Sequence, residues 1–105
     1  MIGLIGLNHT TTPVEIREQY SFTEEEAVYF IRTAMDLGLI EEGVLLSTCN
    51  RTELYFQQGN AVPSDVFATI ISHFQSCKEP NHDIRDHFYL YQDAPAVRHG
   101  LRVAA

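Results

Sequence analysis

The chain has 105 residues, 45% apolar and 10% aromatic, a size and balance that fit one globular domain and leave no room for two. Seven basic residues against fourteen acidic ones give a net charge of −7, which argues against a self-sufficient nucleic-acid binder, because phosphate contacts need a basic face. There is no apolar run long enough for a membrane span, no disulfide framework in two cysteines, and no basic n-region of a signal peptide, so the reading is a reducing, cytoplasmic setting.

Ile2 to Leu7 is a short apolar run containing Gly3 and Gly6 and reads as a buried strand, which Asn8-His9-Thr10-Thr11-Thr12-Pro13 then breaks. Thr12-Pro13-Val14-Glu15 has capping-box spacing with Pro at the first helical position, predicting a short helix to about Tyr20. Thr23-Glu24-Glu25-Glu26 repeats the signal, with three acids to complement the helix dipole. Ala27, Phe30, Ile31, Ala34 and Leu37 follow at helical spacing, and Gly38 is a good stop. Gly43 to Leu46 and Leu54 to Phe56 read as strands joined by Ser47 to Glu53.

Gly59 to Pro63 is a turn cluster, after which Ser64 is placed to cap a helix carrying Val66, Phe67, Ile70, Ile71 and Phe74. Lys78 to Asp86 reads as polar loop and His87 to Tyr91 as a fourth strand. Asp93 is expected to cap a last helix with Val97, Leu101 and Ala104 on one face. The order β-α-α-β-β-α-β-α contains the β-α-β-β-α-β pattern of a ferredoxin-like α+β sandwich, with helices on one face of a four-stranded antiparallel sheet. The last helix has no stop signal before Ala105, so the chain reads as the first part of a longer protein.

The segment Ser47 to Glu53 is unusual for a strand connection. It carries two hydroxyls, a thiol, an amide, a guanidinium and a carboxylate instead of turn-forming residues. A thiol at such a turn is accessible as a nucleophile, Asn50 and nearby backbone N–H groups suit a developing oxyanion, and the Arg51 fork suits a carboxylate. The alternatives are a small buried Cys49, a turn residue at Asn50 and an Arg51–Glu53 surface pair. Cys77 reads as packing, and His73, His82 and His87 as solvated or structural. His9 either lines a site or merely ends the first strand. His99 lies beside Arg98 and Arg102 on the last helix, either at a site or on an exposed cationic face.

Three segments resemble the glutamyl-tRNA reductase family: Gly6-Leu7-Asn8-His9-Thr10-Thr11-Thr12-Pro13-Val14-Glu15-Ile16-Arg17-Glu18, Leu46-Ser47-Thr48-Cys49-Asn50-Arg51-Thr52-Glu53 and Ala96-Val97-Arg98-His99-Gly100-Leu101-Arg102-Val103-Ala104-Ala105. The resemblance implies that glutamate carried on tRNA(Glu) is reduced by NADPH to glutamate-1-semialdehyde for tetrapyrrole biosynthesis. It places the thioester-forming nucleophile on Cys49 and a needed histidine at His99, and it gives Thr48, Cys49, Asn50 and Arg51 to substrate binding. It further implies residues 1–105 as an N-terminal catalytic domain truncated at its C-terminal end, with NADPH and dimerisation domains absent. A homodimer in the full-length protein and glutamate-1-semialdehyde aminomutase as a partner also follow from it.

No metal is expected. Gly100 departs from the bulky apolar residue usual in the family, and no Gly-x-Gly-x-x-Gly follows a strand. Two other readings stand beside this one: a non-catalytic ferredoxin-like regulatory or RNA-binding module, and a metal site pairing Cys49 with His9 or His99. Tyr55, Phe56, Phe88, Tyr89 and Tyr91 would serve an RNA-recognition sheet, but read better as core and strand-edge packing.

Overall fold

A computed structural model describes residues 2–59, 66–78 and 88–104. The elements follow the order β1 (Ile2–Asn8), α1 (Val14–Gln19), α2 (Glu24–Asp36), β2 (Glu42–Ser47), β3 (Arg51–Gln57), α3 (Val66–Lys78), β4 (Tyr89–Gln92) and α4 (Ala94–Ala104). The four strands form one sheet in the order β2-β3-β1-β4, with every neighbouring pair antiparallel. This is the ferredoxin-like arrangement that the element order predicts.

Alternation along β1 and β3 divides the sheet into two faces. Ile5 and Leu7 of β1, with Leu54 and Phe56 of β3, enter the core beneath α2 and α3. There Phe22, Phe30 and Phe74 pack ring against ring, with Phe30 and Phe74 centroids 4.4 Å apart. Helix α2 begins on a capping box: Thr23 Oγ1 accepts from Glu26 N–H at 3.2 Å, and Glu26 Oε1 accepts from Thr23 N–H at 2.9 Å. It ends where Gly38, at φ +74°, lets its own N–H reach the Met35 carbonyl while Leu39 N–H reaches that of Ala34. The helices of the β-α-β-β-α-β unit thus cover one face. Helix α4 follows that unit and covers part of the other.

Several local expectations change. The predicted capping box at Thr12 does not form: Pro13 is itself the N-cap residue with extended ψ of 153°, and no side chain caps α1. Thr12 is buried with its hydroxyl 3.1 Å from that of Thr11. Asp93 precedes α4 at φ +58° and accepts from Val97 N–H through its carbonyl, while its Oδ1 turns back to β1 and accepts from Ile2 N–H at 3.1 Å. Of the apolar stripe expected on α4, Val97 is 45% exposed, whereas its neighbour Ala96 is only 1% exposed. Sheet residues Glu53 and Tyr55 meet α4 at His99 and Gly100.

Ser64, His82, His87 and the loop from residue 79 to 86 lie outside the described residues, as does the turn cluster after Gly59. His73 is a buried structural residue, with Nε2 2.9 Å from Thr33 Oγ1 and 3.3 Å from the Phe30 carbonyl. Cys77 is half-buried against the core. Among the described residues no helix is long and apolar enough to cross a membrane.

Candidate functional site

The connection between β2 and β3 is shorter than the sequence suggests. Arg51, Thr52 and Glu53 are strand residues, so only Thr48, Cys49 and Asn50 form the turn. They pair because Asn8, Leu7 and Gly6 of β1 lie opposite Arg51, Thr52 and Glu53. Strand pairing from a distant segment overrides the local polarity that reads as loop.

The turn is held at three points. Thr48 N–H donates to the Arg51 carbonyl at 2.8 Å, Asn50 N–H donates to Thr48 Oγ1 at 3.3 Å, and His9 N–H donates to the Asn50 carbonyl at 3.0 Å. Below it, Thr52 Oγ1 donates to the Tyr20 carbonyl at 2.8 Å, and Phe22 N–H donates to Ser47 Oγ at 2.9 Å. These bonds tie the hairpin to the junction between α1 and α2. The Cys49 thiol stands exposed on this fixed turn.

Arg51, Glu53 and Tyr55 project from the opposite face of β3 to the core residues Thr52, Leu54 and Phe56. Glu53 is the centre of the group and its side chain is 0% exposed. Tyr55 OH donates to Glu53 Oε1 at 3.1 Å, and Arg51 Nη1 lies 3.6 Å from the same oxygen. Glu53 Oε2 accepts from Tyr89 OH and lies 2.6 Å from His99 Nε2. Burial, followed by the hydrogen bond and charge of Glu53, pushes the Tyr89 phenol far above its ordinary range, so it remains a donor. Tyr55 is raised in the same direction by burial and then by the Glu53 charge.

The His99 ring packs beside Tyr91 and Tyr89, with centroids 5.2 and 5.6 Å away. Gly6 lies between these groups on β1, opposite both Glu53 and Tyr89. Gly100 lets α4 approach closely, since a Cβ there would stand 3.2 Å from the Tyr55 ring. Gly100 therefore has a packing reason in this chain.

Thr48, Cys49, Asn50 and Arg51 thus come together at one end of the sheet, while the polar partner of His99 is Glu53. Arg51 and Glu53 are not a surface pair, because the carboxylate is fully buried and serves four partners. Sequence reasoning missed Gly6, Glu53 and Tyr89 as members of this group. One signal was available: Arg51, Glu53 and Tyr55 alternate with Thr52, Leu54 and Phe56, which puts the two charges on one strand face.

Among the described residues no group of three or more His, Cys, Asp or Glu side chains is arranged to hold a metal ion. They also do not fit the dinucleotide that the family resemblance implies. Gly3 and Gly6 lie inside β1, where added Cβ atoms would strike Phe56 and Glu53. The helix that follows has only six residues. A phosphate cradle instead needs glycines at a turn leading into a helix N-terminus.

Residues 5–105 match the sequence model of the glutamyl-tRNA(Glu) reductase N-terminal domain. Among curated relatives, a glutamyl-tRNA reductase of Xylella fastidiosa is 40% identical over 103 residues, covering 98% of this chain and 22% of the relative. The glutamyl-tRNA reductase of Pseudomonas aeruginosa is 36% identical over 101 residues, covering 96% of this chain and 23% of the relative. The solved structure of glutamyl-tRNA reductase from Methanopyrus kandleri aligns with a TM-score of 0.70 at 26% identity, over 98% of this chain and 22% of that one. The chain therefore spans about a fifth of the length of the proteins it matches.

Proposed function

Because the chain belongs to the glutamyl-tRNA reductase N-terminal domain family, we propose that it carries the substrate-binding and acyl-transfer site of an NADPH-dependent glutamyl-tRNA reductase. The product would be glutamate-1-semialdehyde, feeding tetrapyrrole biosynthesis in the cytoplasm. The observation that carries this reading is the exposed Cys49 thiol on a pinned three-residue turn that runs directly into Arg51.

In this reading Cys49 loses its proton and its sulfur attacks the carbonyl carbon of the aminoacyl ester. A carbon–sulfur bond forms, the carbon–oxygen bond to the terminal ribose breaks, and the ribose oxygen takes up a proton. An aminoacyl ester is already activated, and a thiol is a strong nucleophile even when only a few per cent is thiolate. Arg51 holds the side-chain carboxylate of the glutamyl group through its planar fork. Thr48 and Asn50 supply a hydroxyl and an amide beside the reacting carbonyl. His99 has Nε2 engaged by Glu53, which leaves Nδ1 as a proton carrier for the departing oxygen.

NADPH supplies the hydride in the complete reaction. The chemistry assigned to this chain ends at the thioester, because the described residues offer no cradle for that cofactor. NADPH binding and homodimer formation are assigned to parts of the enzyme beyond this domain, with glutamate-1-semialdehyde aminomutase as a partner of the full-length enzyme. A non-catalytic RNA-recognition sheet is less well supported, because Tyr55 and Tyr89 are turned towards Glu53 beneath α4.

The test is to incubate the protein with tRNA carrying radiolabelled glutamate and to map the label by mass spectrometry. The expected result is a hydroxylamine-sensitive glutamyl adduct on the Cys49 peptide. Equal labelling of the Cys49→Ser variant would overturn the reading.

A further inference from the structure

We propose that the outer edge of β2 is a docking surface for an extended segment of a partner protein, paired antiparallel to β2 and carrying Lys or Arg at its C-terminal end. Among the described residues β2 has one strand neighbour, β3, so it is an edge of the sheet. The bond from Thr48 N–H to the Arg51 carbonyl fixes which backbone groups face outward. Thr48 and Arg51 continue the register in which Leu46 faces Glu53 and Val44 faces Tyr55. Hydrogen-bonded and non-bonded pairs alternate in an antiparallel ladder, so Gly43 and Leu45 turn their N–H and carbonyl groups away from β3. Among the described residues no backbone hydrogen bond from outside the ladder reaches either one.

An open edge is a template for another strand, and proteins ordinarily blunt it with lysine, proline or brevity. The opposite edge, β4, has only four residues and gives way to Asp93 at φ +58°. Strand β2 has six, Glu42–Ser47, with neither lysine nor proline, and its middle is Val44-Leu45-Leu46. Val44 is 64% exposed. Beside this edge, Val28, Ile31 and Met35 of α2 face Gly43 and Leu45 across a groove of about 540 Å³, and Val28 and Met35 are themselves exposed. An added strand would be held by main-chain hydrogen bonds to Gly43 and Leu45 and would lay an apolar side chain in the groove.

Charge selects the occupant. The chain carries −7, which opposes pairing with a second copy of itself. Asp36, Glu41 and Glu42 are exposed where β2 begins, and the stretch from Thr33 to Asn50 has no Lys, Arg or His. Arg32, on the α2 wall of the groove, offsets one of the three acids. The C-terminal end of an antiparallel partner strand lies beside these acids, so Lys or Arg there meets opposite charge and an acidic residue meets repulsion.

The experiment follows amide hydrogen exchange at Gly43 and Leu45 in the isotopically labelled chain. The probe is a short peptide that alternates valine with threonine and ends in two lysines. Saturating peptide is expected to slow exchange at both amides by about tenfold or more. The same peptide ending in two glutamates should bind about tenfold more weakly. The double variant Asp36→Asn, Glu42→Gln changes two exposed side chains, and should bring the two peptides close to equal affinity.

Equal affinity of the two peptides for the wild-type chain overturns the inference, as does unslowed exchange in millimolar lysine peptide. Slow exchange at both amides without peptide also overturns it. If that protection strengthens with protein concentration, the edge pairs with a second copy. If it arises only in the complete reductase, another segment of that enzyme covers the edge.

Discussion

Gly6 on β1 lies directly opposite Glu53 on β3, and a Cβ on the glycine would stand 2.8 Å from the glutamate Cγ. The space above Gly6 is where the carboxylate crosses β1 to reach Tyr89, whose hydroxyl would lie 3.0 Å from the same Cβ. Gly6→Ala is therefore expected to cost about 1–3 kcal/mol through overpacking and to turn Glu53 away from β4. Chemical denaturation measures the first effect. A variant as stable as the wild type would show that the neighbouring side chains yield freely.

Cys49→Ser should leave stability within about 0.5 kcal/mol of the wild type, because the exposed turn is held by backbone and Thr48 hydrogen bonds. Covalent capture of glutamate should disappear, since an unactivated hydroxyl is a poor nucleophile. In the complete reductase, activity within about tenfold of the wild type would remove the thioester from the mechanism.

Arg51→Lys keeps the charge and loses the fork. The expected effect is a fall of about tenfold or more in kcat/KM for glutamyl-tRNA in the complete reductase, with stability little changed. Steady-state kinetics alongside a thermal melt would separate the two quantities. An unchanged kcat/KM would take Arg51 out of the site.

His73 carries a pH dependence whose sign follows from its position between α2 and α3. Burial lowers its pKa from the ordinary 6.5, opposed in part by the hydrogen bond to the Phe30 carbonyl. The unfolded chain therefore binds the proton more readily than the folded one as pH falls. The stability conferred by a neutral His73 is fully present above about pH 6.5 and is lost as pH drops through the folded-state value. His73→Gln keeps a possible donor for Phe30 and should flatten this part of the pH–stability curve. Denaturation midpoints across the acid range would show an unchanged slope if other groups carried the effect.

The parts of the fold legible in the sequence are those specified by neighbours. Thr23 and Glu26 form their capping box, and Gly38 ends α2 at a positive φ, because each signal acts within one helical turn. The Cys49 turn is legible for a similar reason. Thr12 misleads because its spacing satisfies the capping pattern while extended Pro13 takes the N-cap position. Arg51 to Glu53 read as loop from their polarity; Ser47 and Leu46 of β2 pair with Thr52 and Glu53 across the turn, and their β1 partners lie more than 40 positions earlier. Alternation places Glu53 on a face with Arg51 and Tyr55, but its partners Tyr89 and His99 were out of reach, since they follow it by 36 and 46 residues.

Those sequence separations also order the events of folding. The β2–β3 hairpin closes over a short turn, so the segment bearing the thiol can pair early, whereas the Glu53 network requires both β1 and α4 and completes late. During synthesis from the N-terminus, Cys49 leaves the ribosome roughly 50 residues before His99, several seconds at ordinary elongation rates. A nascent chain therefore passes through a stage with its thiol displayed before α4 is available. Docking of α4, rather than hairpin closure, brings His99 to Glu53 and completes that network.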